Sequence, residues 1–216
     1  MADQETNITE IDMVSDLVCP WCWVGLRHLM LAMQTNQDQV FSLTFRPFFL
    51  DANLPESGVE YHAYMDKKFP NKDQRKAGLN ALEQAGRAVS IDFQFGKIKR
   101  RPHTGKAHRF LLWAQGQERG LVAKEALFQA FFTDGKDIGD DQVLAEIGTS
   151  LGMDGALVVE LLEKEQDKAK IEAEVKVFQE MGISGVPTFI VNRKAGISGA
   201  LPPADLAQFL AQNKTA

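Results

Sequence analysis

Cysteine is nearly absent from this chain: 216 residues contain only Cys19 and Cys22. A structural zinc site takes four ligands, and no second cysteine pair is there to complete one. His28, the nearest histidine, would point away from at least one thiol on a helix, so no metal is expected. Long apolar runs are also missing, and nothing approaches the roughly 18 consecutive apolar residues of a membrane span. Met1 to Glu10 is polar and acidic, without a basic start followed by an apolar stretch. No secretory signal is visible, and a cytoplasmic protein with no membrane partner is expected. Positive charge is not in excess. A net charge of −5 argues against a general nucleic-acid surface. Basic character is local, at Lys97 to Arg101, and reads as a solvated loop. No repeat, linker or low-complexity segment stands out, and 44% hydrophobic with 25% charged residues is an ordinary globular composition.

The two cysteines sit three positions apart, in Cys19-Pro20-Trp21-Cys22. Ile8 to Val14 reads as a buried strand and Trp23 to Gln34 as a helix. A Cys-x-x-Cys at a strand-to-helix junction is the local arrangement of a thioredoxin-like redox site. On a helical turn, residues i and i+3 share a face with Cβ atoms about 5–6 Å apart. A disulfide wants about 3.5–4.5 Å, so a small adjustment closes and reopens the bond. The unpaired N–H groups and partial positive charge of the helix start stabilise a thiolate, which should lower the thiol pKa of Cys19 from its usual value of about 8.5. Cys19 is therefore expected to be the exposed nucleophile and Cys22 the more buried resolving thiol. Pro20 suits the first turn, where its missing N–H is not needed, and Trp21, between the thiols, would shape access. In the cytoplasm a structural disulfide is disfavoured and a paired motif points to redox chemistry. The competing reading is two inert core cysteines.

Along the chain, Val40 to Phe48 is a second strand, with Phe41, Leu43 and Phe45 alternating with polar residues. Pro47 places its end at an edge or exit. Ser57 and Glu60 read as a capping box for a short helix to Phe69. Asp73 is the expected cap of the next helix, which carries Ala77, Leu82, Ala85 and Val89. Ser90 to His103 breaks the pattern. Thr104 is expected to cap a helix ended by Gly120, and Leu121 to Phe132 forms another, with Leu127, Ala130 and Phe131 inward. Asp140 or Asp141 caps a further helix, and 154–162 and 167–181 complete a helical stretch closed by Gly182. The final section returns to strand character at Val186 to Val191, turns at Asn192-Arg193-Lys194, pairs through Ala195 to Gly199 and ends in a helix opened by Pro202 and Pro203. Phe93, Phe95 and Trp21 are candidates for an apolar substrate floor. His103 and His108 are candidates for lining a cleft, with core or solvent placement the competing reading for each group.

The order βα–β, helical segment, ββα resembles the thioredoxin fold interrupted by a large all-helical insertion, as in the DsbA family. That gives an α/β fold class, with a thioredoxin-like domain at 8–52 and 183–213 and an inserted helical domain at 53–182. The carrying motifs are Cys19-Pro20-Trp21-Cys22 and Gly185-Val186-Pro187-Thr188-Phe189. The resemblance implies a cis Val186–Pro187 bond facing the cysteines, with Val186 offering backbone groups to an extended substrate. The runs Asp16 to Gly25, Ala107-His108-Arg109, Phe132 to Ile138 and Gly196 to Pro203 are similar to the FrnE-like branch. This implies a thiol–disulfide oxidoreductase with Cys19 and Cys22 catalytic. Pro20, Trp21, Val186 and Pro187 would line the substrate approach, and the substrates would be protein or small thiols and disulfides. No tightly bound cofactor is implied; glutathione is a candidate redox partner, and the protein would be a monomer or homodimer. Two other functions stay open. One is a glutathione-linked transferase or isomerase of the kappa-class or 2-hydroxychromene-2-carboxylate isomerase type, whose members typically place Ser where Cys19 stands. The other is a non-catalytic redox switch.

Overall fold

The computed structural model describes residues 8–215, so of the polar start read from the sequence, Met1 to Asn7 lie outside the described residues. Strand β1 (Ile8–Ser15) leads into helix α1 (Pro20–Thr35) and strand β2 (Val40–Pro47). A long segment follows: β3 (Val59–Glu60), α2 (Tyr61–Lys68), α3 (Lys72–Ala88), β4 (Arg100–Arg101), α4 (Gly105–Gly116), α5 (Gly120–Phe132), α6 (Asp141–Ser150), α7 (Gly155–Glu163) and α8 (Lys168–Glu180). Strands β5 (Thr188–Val191) and β6 (Ala195–Ser198) and helix α9 (Pro203–Gln212) close the chain. The main sheet has the order β2-β1-β5-β6, with β2 parallel and β5 antiparallel to β1. This is a thioredoxin-like fold carrying a helical insertion.

β1 is central, and its burial follows from that. It alternates at its start and is buried at every position from Met13 to Ser15. One face, through Ile11 and Met13, meets Leu26 and Leu29 of α1 and Leu206 and Leu210 of α9 in the main core. The other face, through Val14, packs with Phe48 and Phe178. A strand covered on both faces reads as an apolar run rather than an alternation.

The insertion shares the main core with the sheet. Trp23 of α1 stacks on Phe128 and Phe132 at 5.8 and 6.1 Å and meets Phe93 edge-on at 5.7 Å. Its Nε1–H donates to Glu125, which also accepts from Arg27, both at 2.9 Å. On the far side, Gln115 of α4 exchanges both hydrogen bonds of a strand neighbour with Phe45: its Oε1 accepts from the Phe45 N–H at 2.7 Å, and its Nε2 donates to the Phe45 carbonyl at 3.1 Å. Arg46 of β2 pairs with Asp12 and with Glu174 of α8.

Several local expectations shift. Glu60, not Ser57, caps α2, accepting from the N–H groups of His62 and Ala63. The reason is that Val59–Glu60 is held extended against Arg100–Arg101, a ribbon the sequence reading did not contain. Asn71 rather than Asp73 caps α3, through the Asp73 and Gln74 N–H groups. Thr104 precedes α4, but its hydroxyl makes no cap bond. Gly120 opens α5 instead of ending α4; a Cβ there would lie 2.5 Å from the Gln115 side chain. The basic run is not a wholly solvated loop, since Ile98 and Arg101 are buried.

If one core spans both parts, truncating its aromatic centre must weaken the whole. Phe132→Ala is expected to cost about 3–5 kcal/mol in urea unfolding followed by circular dichroism, with a single transition retained. Two separated transitions in the wild-type protein would contradict a shared core.

Candidate active site

The site is built where β1 hands over to α1. Cys19 takes the extended conformation of an N-cap (φ −100°, ψ 110°), and no side chain caps the helix. Pro20 occupies the first turn, which contains no acidic residue. The amide dipoles at this helix start therefore face the Cys19 sulfur without a competing anion from the helix itself. The Cys22 N–H donates to the Cys19 carbonyl at 3.0 Å, and the Cys19 N–H donates to the Asp16 carbonyl at 3.2 Å. Both cysteines are free thiols. Cys22 is fully buried, and Cys19, expected to be exposed, keeps only 6% of its surface. Burial first, then the neighbouring Cys19, push the Cys22 thiol well above the ordinary range; the Asp16 backbone N–H and Lys124 pull the other way.

The loop before β5 covers Cys19. The Val186–Pro187 peptide is cis, and the Cys19 thiol donates to the Val186 carbonyl, with 3.8 Å between Sγ and O. The loop is held from its other side. The Gly199 N–H donates to the Pro187 carbonyl at 2.8 Å, and Thr188 Oγ1 bonds to the Gly185 carbonyl and to Ser198 Oγ. Gly25 of α1 is the point of closest approach, since a Cβ there would stand 2.8 Å from Pro187 Cγ.

Beneath the thiols lies a buried polar layer. The Asp16 carboxylate accepts from the Leu50 N–H at 2.9 Å and faces His108 Nε2 at 3.5 Å. Burial raises its pKa, but His108, Arg101 and the Leu50 N–H outweigh burial, and the net shift is downward. Arg101 donates to the Val18 carbonyl at 2.8 Å and pairs with Asp51. Lys124, fully buried, donates to Ser15 Oγ at 2.7 Å. Sequence reasoning did not gather this layer. In the sequence His108 is only a candidate cleft residue, Lys124 lies on a helix whose legible face is apolar, and Arg101 belongs to a run that reads as solvated.

The other sequence candidates divide. Trp21 is 41% exposed at the rim. Phe93 and Phe95 do not form a floor with it; they stack on each other at 5.0 Å and close on Phe132. Trp21 and Trp23 lie roughly 200° apart on an α-helix, so only one of them turns into that cluster. His103 meets the Phe49 ring at 5.0 Å and lines a small cleft with Arg109 and Lys168. His28 Nδ1 lies 2.7 Å from the Leu201 carbonyl, away from the thiols. Among the described residues no group of three or more His, Cys, Asp or Glu is placed to hold a metal, and no helix is long and apolar enough to cross a membrane.

A family model for the DSBA-like thioredoxin domain matches residues 10–211. The chain belongs to that family. A relative in Bacillus subtilis, the uncharacterized protein YwbO, is 26% identical over 184 residues, covering 84% of this chain and 86% of its own. The crystal structure of the probable DsbA oxidoreductase SCO1869 from Streptomyces coelicolor superposes with a TM-score of 0.87 at 25% identity, covering 95% of this chain and 89% of that one. The cytosolic disulfide reductase DsbM from Pseudomonas aeruginosa, solved with GSH, shares the fold with a TM-score of 0.66 at 16% identity, covering 94% and 98%.

Two variants probe this DsbA-like site. Gly25→Ala must push α1 from the Pro187 loop; a loss of about 1–3 kcal/mol from overpacking is expected in chemical unfolding, with slower reaction of Cys19. Asp16 is held below its usual value, so its contribution is present above about 3.9 and is lost as pH falls below that. Asp16→Asn should cost about 3–5 kcal/mol at pH 7, and the gap to wild type should shrink on acidification below about pH 4. A gap unchanged at low pH would show that ionisation of Asp16 is not its source.

Proposed function

We propose that this DsbA-like oxidoreductase exchanges disulfides through Cys19 and Cys22. The observation carrying the proposal is the asymmetry of the two thiols. Cys19 stands at an uncapped helix start against the Val186 carbonyl, and Cys22 lies fully buried behind it. In the proposed sequence the Cys19 thiolate attacks a substrate disulfide and forms a mixed disulfide. Cys22 then attacks Cys19 Sγ, the Cys19–substrate bond breaks, and reduced substrate leaves from an oxidised pair. The reverse sequence oxidises a dithiol. An extended substrate would pair with the Val186 backbone as an added strand, displacing the Cys19 thiol from that carbonyl, with Pro20, Trp21 and Pro187 at the rim.

The substrates in this reading are protein or low-molecular-weight disulfides, with glutathione as the small-thiol partner. The shared fold with DsbM, solved with GSH, supports that choice. Two sulfurs side by side favour exchange over activation of glutathione at a single residue. Membership of the FrnE-like branch, action in the cytoplasm, and division into 8–52 with 183–213 and an inserted 53–182 belong to the same proposal.

Insulin reduction in the presence of a dithiol is the test. Cys19→Ser should abolish it, and Cys22→Ser should accumulate mixed disulfides visible on a non-reducing gel. Iodoacetamide should label Cys19 before Cys22. Full activity in Cys19→Ser would remove that residue from the mechanism.

A further inference from the structure

Charge is unevenly shared along this chain. The stretch 59–101 holds ten Lys and Arg against five Asp and Glu, and the rest holds fourteen against twenty-four. The fold gathers the positive stretch into one face. Lys67 and Lys68 end α2, Lys72 opens α3, and the Arg75–Asp66 ion pair ties the two helices together. Lys72 and Lys76, four positions apart, share one side of α3. In the β3–β4 ribbon Glu60 stands opposite Arg100, and the Tyr61 N–H donates to the Lys99 carbonyl at 3.0 Å, which sets Lys99 and Arg100 beside the start of α2. Most of the anions in this face are already engaged. Glu60 caps α2, Asp66 holds Arg75, and Asp51 takes Lys68 and Arg101. That leaves Asp73 against Lys67, Lys72, Lys76 and Lys99, all four exposed and without an ion pair among the described residues. Phe69, between α2 and α3, is 45% exposed in their midst.

This face adjoins the cysteine pair. Lys68 and Arg101 share Asp51, and Arg101 donates to the Val18 carbonyl at 2.8 Å, one peptide bond from Cys19. A partner held here is held beside Cys19, so the partner that fits is one bringing a disulfide. The free lysines are spread over the end of one helix, the start of the next and a ribbon, an extent that a small disulfide seated at Cys19 does not cover. We propose that the face formed by α2, the start of α3 and the β3–β4 ribbon docks an acidic, disulfide-bearing polypeptide, with its carboxylates against Lys67, Lys72 and Lys99 and its disulfide at Cys19. The inference rests on the Cys19–Cys22 reading above and names a substrate class for it. The reduced pair supplies both electrons. Cys19 attacks the polypeptide disulfide, Cys22 closes on Cys19, and the polypeptide leaves as a dithiol carrying both thiol protons while the pair is left oxidised. Exposed ion pairs add little affinity, so the gain belongs to the rate of encounter, which opposite charge raises about 10- to 10³-fold. The acidic remainder of the chain repels the same partner, which favours arrival on this face.

Two peptides that share one internal disulfide loop, one flanked by Glu and the other by Lys, separate charge from chemistry. The measurement is the second-order rate constant of a single turnover by the reduced protein, followed by acid quench and mass spectrometry. At low ionic strength the Glu peptide should react about tenfold faster than the Lys peptide. The advantage should fade toward about 1 M salt, where the screening length drops to about 3 Å. The triple variant Lys67→Glu, Lys72→Glu, Lys99→Glu should reverse the order of the two peptides. Its rate with hydroxyethyl disulfide, which is small and uncharged, should stay at the wild-type value. Equal rates for the two peptides at low salt, or an advantage that the triple variant retains, overturn the proposal. A preference confined to glutathione disulfide over the cationic cystamine overturns it as well, since the charge would then be read on a small ligand. So does low-salt self-association in sedimentation that the same substitutions abolish, which would give the face to a second copy of the chain. If the triple variant does not fold, a wild-type preference that survives about 1 M salt overturns it. Failure of the underlying reading looks different: Cys19→Ser would still reduce hydroxyethyl disulfide.

Discussion

A carboxylate buried away from water must be answered by cations and donors, or the fold loses several kcal/mol. Asp16 is such a carboxylate, and its position, three residues before Cys19, makes the answer a matter of architecture. The sheet supplies none of the cations around it. His108 comes from α4, Arg101 from β4, and, one residue earlier in the chain, Ser15 is met by Lys124 from α5. The inserted segment is therefore part of the floor of the site. The aromatic packing of Trp23 against Phe93, Phe128 and Phe132 serves the same end, holding α1 and the insertion in one register.

That floor makes two chemically identical residues different. Cys19, at the helix start, is touched from the outside by the Val186 carbonyl. Cys22, one turn further, is fully buried in the main core. Burial alone would leave Cys22 inert, and the helix start alone would leave Cys19 without a partner. The short loop held by Thr188, Ser198 and Gly199 sets the outer wall at a fixed distance, and Gly25 is the residue whose lack of a side chain permits that distance.

Much of the frame was legible in the sequence. The cysteine pair lies between an apolar strand and a helical pattern, the second strand alternates, and the closing strand, turn and helix are marked by Pro187, Asn192 and Pro203. The polar floor was not legible, for a physical reason. Asp16 and His108 are 92 positions apart by their numbers, Ser15 and Lys124 109, and a charged residue within an amphipathic pattern reads as solvent-facing. Cap positions moved by two or three residues where a tertiary contact, such as Glu60 in its ribbon, outranked local preference. The two tryptophans were legible: Trp21, between the thiols, reads as shaping access and stays at the rim, and Trp23 reads as core and is buried.

The Gln115 amide on β2 has a bearing on how the molecule avoids sticking to itself. Outer strands of sheets invite lateral growth, and proteins commonly blunt them with charge, bulges or a covering segment. Here one side chain mimics the missing neighbour at Phe45, satisfying both backbone groups from a helix. The sheet is terminated at that point without an additional strand, and chain length that would otherwise have closed the margin is free to wrap the faces.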